Sequence, residues 1–144
     1  MTVHRVSPRE AAERMSQEAF AYVDVRTPGE FESGHPAGAY NIPVALASAG
    51  GMTPNTAFVA VFEANFAKDA KVILGCQSGN RSMRAAAALE AAGFTGFIEQ
   101  RAGWGGVKDP FGKVLEKGWQ AEGLEVGSGP GDARSYEALS RNVK

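Results

Sequence analysis

The stretch Lys71-Val72-Ile73-Leu74-Gly75-Cys76-Gln77-Ser78-Gly79-Asn80-Arg81-Ser82 constrains the fold more than any other part of the chain. Val72, Ile73 and Leu74 form a short continuous apolar run, the pattern of a strand covered on both faces. Met83 to Leu89 is alanine-rich and favours a helix. Between the two the backbone must reverse. Such a strand, loop and helix gathers successive N–H groups into a nest at a helix N-terminus, where backbone dipoles attract anions. The only cysteine, Cys76, opens that loop.

A cysteine in such a setting ionises readily, its pKa falling to roughly 3.5–7.5 from about 8.5, and the thiolate is the nucleophile. A lone cysteine at a strand end is more often a small buried hydrophobe. Gly79 and Asn80 weigh against that reading, because both tolerate the left-handed conformations of a tight cradle, and Arg81 adds a fixed cation. One cysteine excludes an internal disulfide framework and a redox cycle closed within the chain, which fits a reducing compartment; a cytoplasmic location is expected.

With 144 residues, 44% apolar content and a net charge of −1, one compact domain suffices. The balanced charge offers no basic field for nucleic acid and no polybasic membrane signal. No run approaches a transmembrane span. His4, Arg5, Arg9 and Glu10 stand where the apolar core of a signal peptide would lie. His4 and His35 are the only histidines and neither has ligand spacing with Cys76, so no metal or cofactor is expected.

The chain is expected to begin with a strand at Val3 to Val6. Ser7-Pro8-Arg9-Glu10 then opens a helix with a capping box and proline at the first helical position. Ala21 to Val25 reads as a buried strand, and Thr27-Pro28-Gly29-Glu30 repeats the capping pattern. Strand alternation puts Asp24 and Arg26 on one side, near the carboxyl end where open parallel sheets bind ligands. Asp24 is expected to hold loop backbone, since a bare carboxylate beside Cys76 would raise the thiol pKa. Arg26 is a candidate for attracting donor anions, and capping alone explains Glu30. Ala45 to Gly51 is expected to be a mobile loop, with Thr53-Pro54 opening a helix whose Phe58, Phe62 and Phe66 face the core. Gly93 ends the helix after Arg81, and Gly96-Phe97-Ile98 is expected to supply the last strand.

Gly75 to Ser82, together with Val23-Asp24-Val25-Arg26, Glu30-Phe31 and Gly34-His35-Pro36-Ala37-Gly38-Ala39-Tyr40-Asn41-Ile42-Pro43, resembles a single-domain rhodanese, or thiosulfate sulfurtransferase. The resemblance extends from about Val6 to Leu124. It implies a three-layer α/β/α fold with a central parallel sheet of about five strands. It also implies that Cys76 attacks the outer sulfur of thiosulfate or another sulfane donor, releases sulfite and carries a persulfide, whose terminal sulfur passes to cyanide or a thiol. Four residues stand between Cys76 and Arg81. Related cysteine phosphatases have one more, so the loop resembles the sulfurtransferases. Gln77, Ser78, Gly79, Asn80, Arg81 and Ser82 would surround the substrate, with N–H groups stabilising the thiolate and persulfide. The family pattern has a histidine where His35 stands, read as a turn-stabilising hydrogen-bonder. The alternative is a rhodanese-like sulfur-carrier or regulatory module with little activity on free thiosulfate.

Past Gln100 the sequence departs from the family. Gly103-Trp104-Gly105-Gly106 leads into an extra stretch, 105–117, before Gly118-Trp119. By analogy this turn borders the reactive loop, so Trp104 and the insertion are expected to wall the donor pocket and restrict acceptors. The domain is expected to span residues 1–126, with 127–144 a glycine-rich linker and a short helical tail. Tyr136, Leu139 and Val143 recur at helical spacing, and so short a helix must dock on the domain or pair two copies as a homodimer.

Overall fold

Two strands of short, continuous apolar sequence form the centre of the sheet, because only a parallel sheet covered on both faces buries every side chain of such a run. The computed structural model describes residues 3–144. In chain order the elements are β1 (Arg5–Val6), α1 (Pro8–Gln17), β2 (Ala21–Asp24), α2 (Pro28–Ser33), β3 (His35–Pro36), β4 (Tyr40–Asn41), β5 (Ala45–Ser48), β6 (Gly51–Pro54), α3 (Phe58–Asn65), β7 (Val72–Gly75), α4 (Asn80–Ala91), β8 (Phe97–Gln100), β9 (Val107–Lys108), β10 (Val114–Glu116), β11 (Val126–Gly127) and α5 (Tyr136–Ser140). The main sheet has five strands in the order β1-β8-β7-β2-β4, and every pairing within it is parallel.

Alternation along the central strands divides the core in two. Val23, Val72 and Leu74 pack with Phe58, Val61 and Phe62 of α3 and Ala85, Ala86 and Leu89 of α4. Tyr22, Ile73 and Ile98 pack on the opposite side with Ala11 of α1, Phe31 of α2 and Trp119. The result is the three-layer α/β/α arrangement expected from the sequence. Both capping boxes form: Ser7 with Glu10 opens α1, and Thr27 with Glu30 opens α2.

Several local expectations require correction. The first strand is shorter than Val3–Val6 and covers Arg5–Val6. The small-residue stretch is no loop, since β5 and β6 form an antiparallel hairpin that includes Thr53 and Pro54. The following helix therefore starts at Phe58, and Phe66 caps its end. Proline at the edge of a two-stranded hairpin sacrifices no ladder bond, which makes Thr53-Pro54 ambiguous between helix start and strand end. Nor is β8 the last strand: the insertion folds into the antiparallel hairpin β9–β10, and β11 pairs with β3.

The segment after Val126 packs closely on the preceding residues. Gly127 pairs with His35, and the Gly129 N–H donates to the Glu32 carbonyl at 2.8 Å. Leu139 of α5 is buried in the core cluster of α3 and α4. Asn65 Nδ2 donates to the Leu139 carbonyl at 3.1 Å, and Asn55 Nδ2 to the Tyr136 hydroxyl at 3.0 Å. Tyr136 and Leu139 of α5 are thus turned onto their own domain, whereas Val143, read as the third residue of that stripe, lies past the end of the helix and is 42% exposed.

Candidate active site

The turn from β7 into α4 is built by glycine at one end and braced from another strand. Gly79, the N-cap of α4, has φ +97°, a left-handed conformation that β-carbon-bearing residues rarely adopt. No side chain caps this helix end, so backbone N–H groups face the loop they close. The Gly79 N–H donates to Cys76 Sγ at 3.1 Å. The turn after β8 pins the loop, with Trp104 N–H donating to the Cys76 carbonyl at 2.8 Å and Gly105 N–H to the Gln77 carbonyl at 2.9 Å. Gly103 permits that approach, because a β-carbon there would lie 2.4 Å from the Cys76 carbonyl oxygen.

Cys76 itself is buried, 2% exposed. Ser78 and Asn80 are exposed at the loop surface, while the Gln77 side chain is half-buried and accepts from Arg26 Nη1 at 3.3 Å. Of the N–H groups from Gln77 through Ser82 expected to face the sulfur, the one bonded to it is that of Gly79.

Both arginines expected to meet the donor are held by carboxylates. Arg26 is buried, its Nη2 2.7 Å from Asp24 Oδ2 and 2.6 Å from the Gly34 carbonyl oxygen, with its guanidinium 5.2 Å from the Trp104 ring. Asp24 also accepts the Arg26 backbone N–H at 3.0 Å, so its role is to hold the strand end. Burial pushes the Asp24 carboxyl above its ordinary value against the pull of Arg26. Arg81 grips Glu30 with two bonds, of 2.6 and 2.9 Å. Glu30 therefore does more than cap α2. Burial alone would raise its carboxyl, but Arg81 and the Thr27 N–H outweigh that and hold it at about 2. A guanidinium withdrawn from water needs a counter-ion, and Glu30, whose side chain is 29% exposed, supplies it. His35 is buried, with Nδ1 2.7 Å from the Phe31 carbonyl oxygen and its ring stacked on Phe31, and so holds the turn after α2.

Sequence reasoning missed the group behind Cys76. Glu99 lies in β8 with no exposed surface, and its carboxylate accepts the Ser82 hydroxyl at 2.5 Å and Arg5 Nε at 2.6 Å. Ser82 Oγ in turn is 3.3 Å from Cys76 Sγ, so Ser82 is turned inward to protein partners. A charged residue in a strand buried on both faces was the available signal. Arg5, whose side chain is 42% exposed, covers the carboxylate from outside, and its hydrogen bond to Glu99 raises its own pKa.

Trp104 packs over Arg26 and against Gly34. The inserted hairpin stands over the other side of the loop. There a cavity of about 470 Å³ is lined by Ser78, Gly79 and Asn80 of the loop, Arg5 and Arg101, and Val107 and Leu115 of the hairpin. Phe111 at the hairpin tip is 95% exposed.

The family model described as a rhodanese-like domain matches residues 7–109. The chain belongs to the rhodanese-like domain family. Thiosulfate sulfurtransferase 16, chloroplastic, from Arabidopsis thaliana is 47% identical over 75 residues, covering 52% of this chain and 62% of that protein. Senescence-associated protein DIN1 from Raphanus sativus is 38% identical over 97 residues, covering 67% of this chain and 53% of that protein. The matches to these curated relatives thus span less than two thirds of their length. Among solved structures, the crystal structure of Rv0390 from M. tuberculosis aligns with a TM-score of 0.73 and 28% identity, covering 90% of this chain and all of that one. In this chain Cys76 directly follows β7, the middle strand of the sheet. Among the described residues no helix is long and apolar enough to cross a membrane.

Proposed function

We propose that the chain is a sulfurtransferase that moves sulfane sulfur from thiosulfate or a related donor to cyanide or a thiol through a persulfide on Cys76. The observation that carries this reading is the lone thiol at the end of β7, receiving a backbone N–H from the left-handed Gly79 at the start of α4. The Cys76 thiolate attacks the outer sulfur of the donor, and the sulfur–sulfur bond breaks with its electron pair leaving on sulfite. The acceptor then attacks the terminal sulfur, and Cys76 leaves as thiolate. Among the loop residues, Gln77, Ser78 and Asn80 have side chains at or near the surface where a small anion enters. Gly79 contributes its N–H, while Arg26, Arg81 and Trp104 serve through the loop they brace. With no second cysteine, the persulfide is discharged by an outside acceptor.

Intact-mass spectrometry after thiosulfate treatment tests the reading. One added sulfur on the native chain and none on Cys76→Ser is expected, followed by thiocyanate when cyanide is added. A native chain that gains no sulfur refutes it. The burial of Cys76 favours a second reading, a sulfur-carrier or regulatory module whose sulfur is reached only when a partner protein opens the loop. Persulfide formation with a partner enzyme but not with free thiosulfate would select it. Cytoplasmic placement belongs to the same proposal and rests on the single unpaired thiol; the chloroplastic names belong to the relatives.

A further inference from the structure

Glu99 is a buried charge that sulfur transfer, as written above, leaves idle. Burying a carboxylate is costly unless it is paired. Arg5 provides the pairing here, at 2.6 Å. A neutral acceptor in β8 would satisfy the Ser82 hydroxyl equally well, whereas a carboxylate adds a site that can take up a proton.

The hydrogen bonds fix where that proton would come from. Ser82 has one hydroxyl proton, and at 2.5 Å from Glu99 Oε2 that proton is committed to the carboxylate. Ser82 Oγ therefore meets Cys76 as an acceptor, 3.3 Å from Sγ, and the resting sulfur is a thiol donor. The Gly79 N–H donates to the same sulfur at 3.1 Å. Two consecutive hydrogen bonds lead from the thiol to a carboxylate with no exposed surface.

We infer that Ser82 and Glu99 form a proton relay for Cys76, taking the thiol proton when sulfur is loaded and returning it when sulfur leaves; this rests on the sulfurtransferase reading. During loading the Cys76 S–H bond breaks, its proton passes to Ser82 Oγ, and the Ser82 proton passes to Glu99. Cys76 sulfur bonds the outer sulfur of thiosulfate as sulfite departs with the electron pair of the broken sulfur–sulfur bond. The products are a Cys76 persulfide anion, neutral Glu99 and sulfite, with charge and protons conserved. During discharge an acceptor thiolate bonds the terminal sulfur, the Cys76 sulfur leaves with the electron pair, and the relay runs backwards to protonate it. Ser82 touches the reacting sulfur, and Glu99 is a positioning residue that acts through it.

The charged and titratable groups around the relay come from several elements. Arg5 from β1 faces both Glu99 and Cys76, Tyr22 and Asp24 lie on β2, Arg81 on α4, and Arg101 with Glu116 beyond β8. Tyr22 is pushed far above its ordinary value by burial, Asp24 is paired with Arg26 and Glu116 with Arg101. The arginines stay charged throughout.

Two reagents test the relay on the full chain: thiosulfate, read as sulfur added to Cys76, and iodoacetamide, read as alkylation of the same residue. Rates are followed from about pH 5 to about pH 9, across the ordinary thiol range. Glu99→Gln keeps the shape but cannot take the proton. At about pH 6 it is expected to react roughly 100-fold more slowly than the native chain, the low end of what a positioned proton-transfer group contributes, and at about pH 9 within several-fold of it. Ser82→Ala is expected to show the same acid-side loss and decides the matter should the first variant fail to fold. Simple like-charge repulsion between Glu99 and a thiolate predicts the opposite sign, with Glu99→Gln faster at acid pH. That result, or an equal loss at every pH, overturns the relay. A native chain that is alkylated with the expected profile but takes up no sulfur leaves the relay standing and removes sulfur transfer from thiosulfate. Sulfur uptake with an unaltered profile in both variants does the reverse, and a Cys76 inert to both reagents removes both.

Discussion

Replacing Glu30 by Gln removes one charge while keeping an oxygen for the Thr27 N–H, so it isolates the ion pair with Arg81 from the cap on α2. The folded structure holds the Glu30 carboxyl at about 2, against 4.5 for a free one. A depressed carboxylate stabilises the fold fully above its unfolded pKa, and that contribution is lost as pH falls through the folded value. The gap corresponds to about 3 kcal/mol near neutral pH, and about 1 kcal/mol remains near pH 3. The side chain is 29% exposed, so solvent screening brings the neutral-pH figure nearer 2 kcal/mol. Urea unfolding of native chain and Glu30→Gln should therefore differ by about 2 kcal/mol near pH 7, roughly 6 °C in Tm, the difference shrinking below about pH 4.5. Equal stability at neutral pH, or a difference unchanged down to about pH 3, would refute the assignment of this pair as a clamp on the first turn of α4.

Three further outcomes follow from the packing. Leu139→Ala empties a buried position in the core under α3 and should cost about 2–5 kcal/mol in denaturant unfolding; truncation after Val126 should cost at least as much, and an unchanged midpoint would mean that α5 is not docked. Replacing residues 107–116 by a short glycine linker removes the hairpin from the cavity beside the loop and should preserve the fold by circular dichroism while altering relative rates with cyanide and several thiols; unaltered ratios would remove the hairpin from acceptor choice.

Elements with local causes were legible in the sequence. Ser7 with Glu10 and Thr27 with Glu30 are three residues apart, and each box forms as read. Val72 to Leu74, buried on both faces, announced the centre of a parallel sheet. The errors came where one signal serves two structures. Thr53-Pro54 ends a hairpin strand instead of opening a helix, and Val107 to Glu116 pairs with itself, although neither half has a strong strand pattern.

What the sequence determined by itself is the capped helices, the buried central strand and the position of one cysteine between that strand and a helix, because these depend on periodicity and on neighbours a few residues apart; the layered fold and the family are what its motif resemblance implied. Only the tertiary structure decided which charges meet. Arg81 closes on Glu30 across 51 positions, and Arg5 meets Glu99 across 94. Arg26, which the sequence offered to a donor, is paired with Asp24, and a glutamate the sequence left unremarked stands behind Cys76. Partner choice among buried charges is set by which chain segments the sheet order brings into contact, and no local pattern encodes that distance.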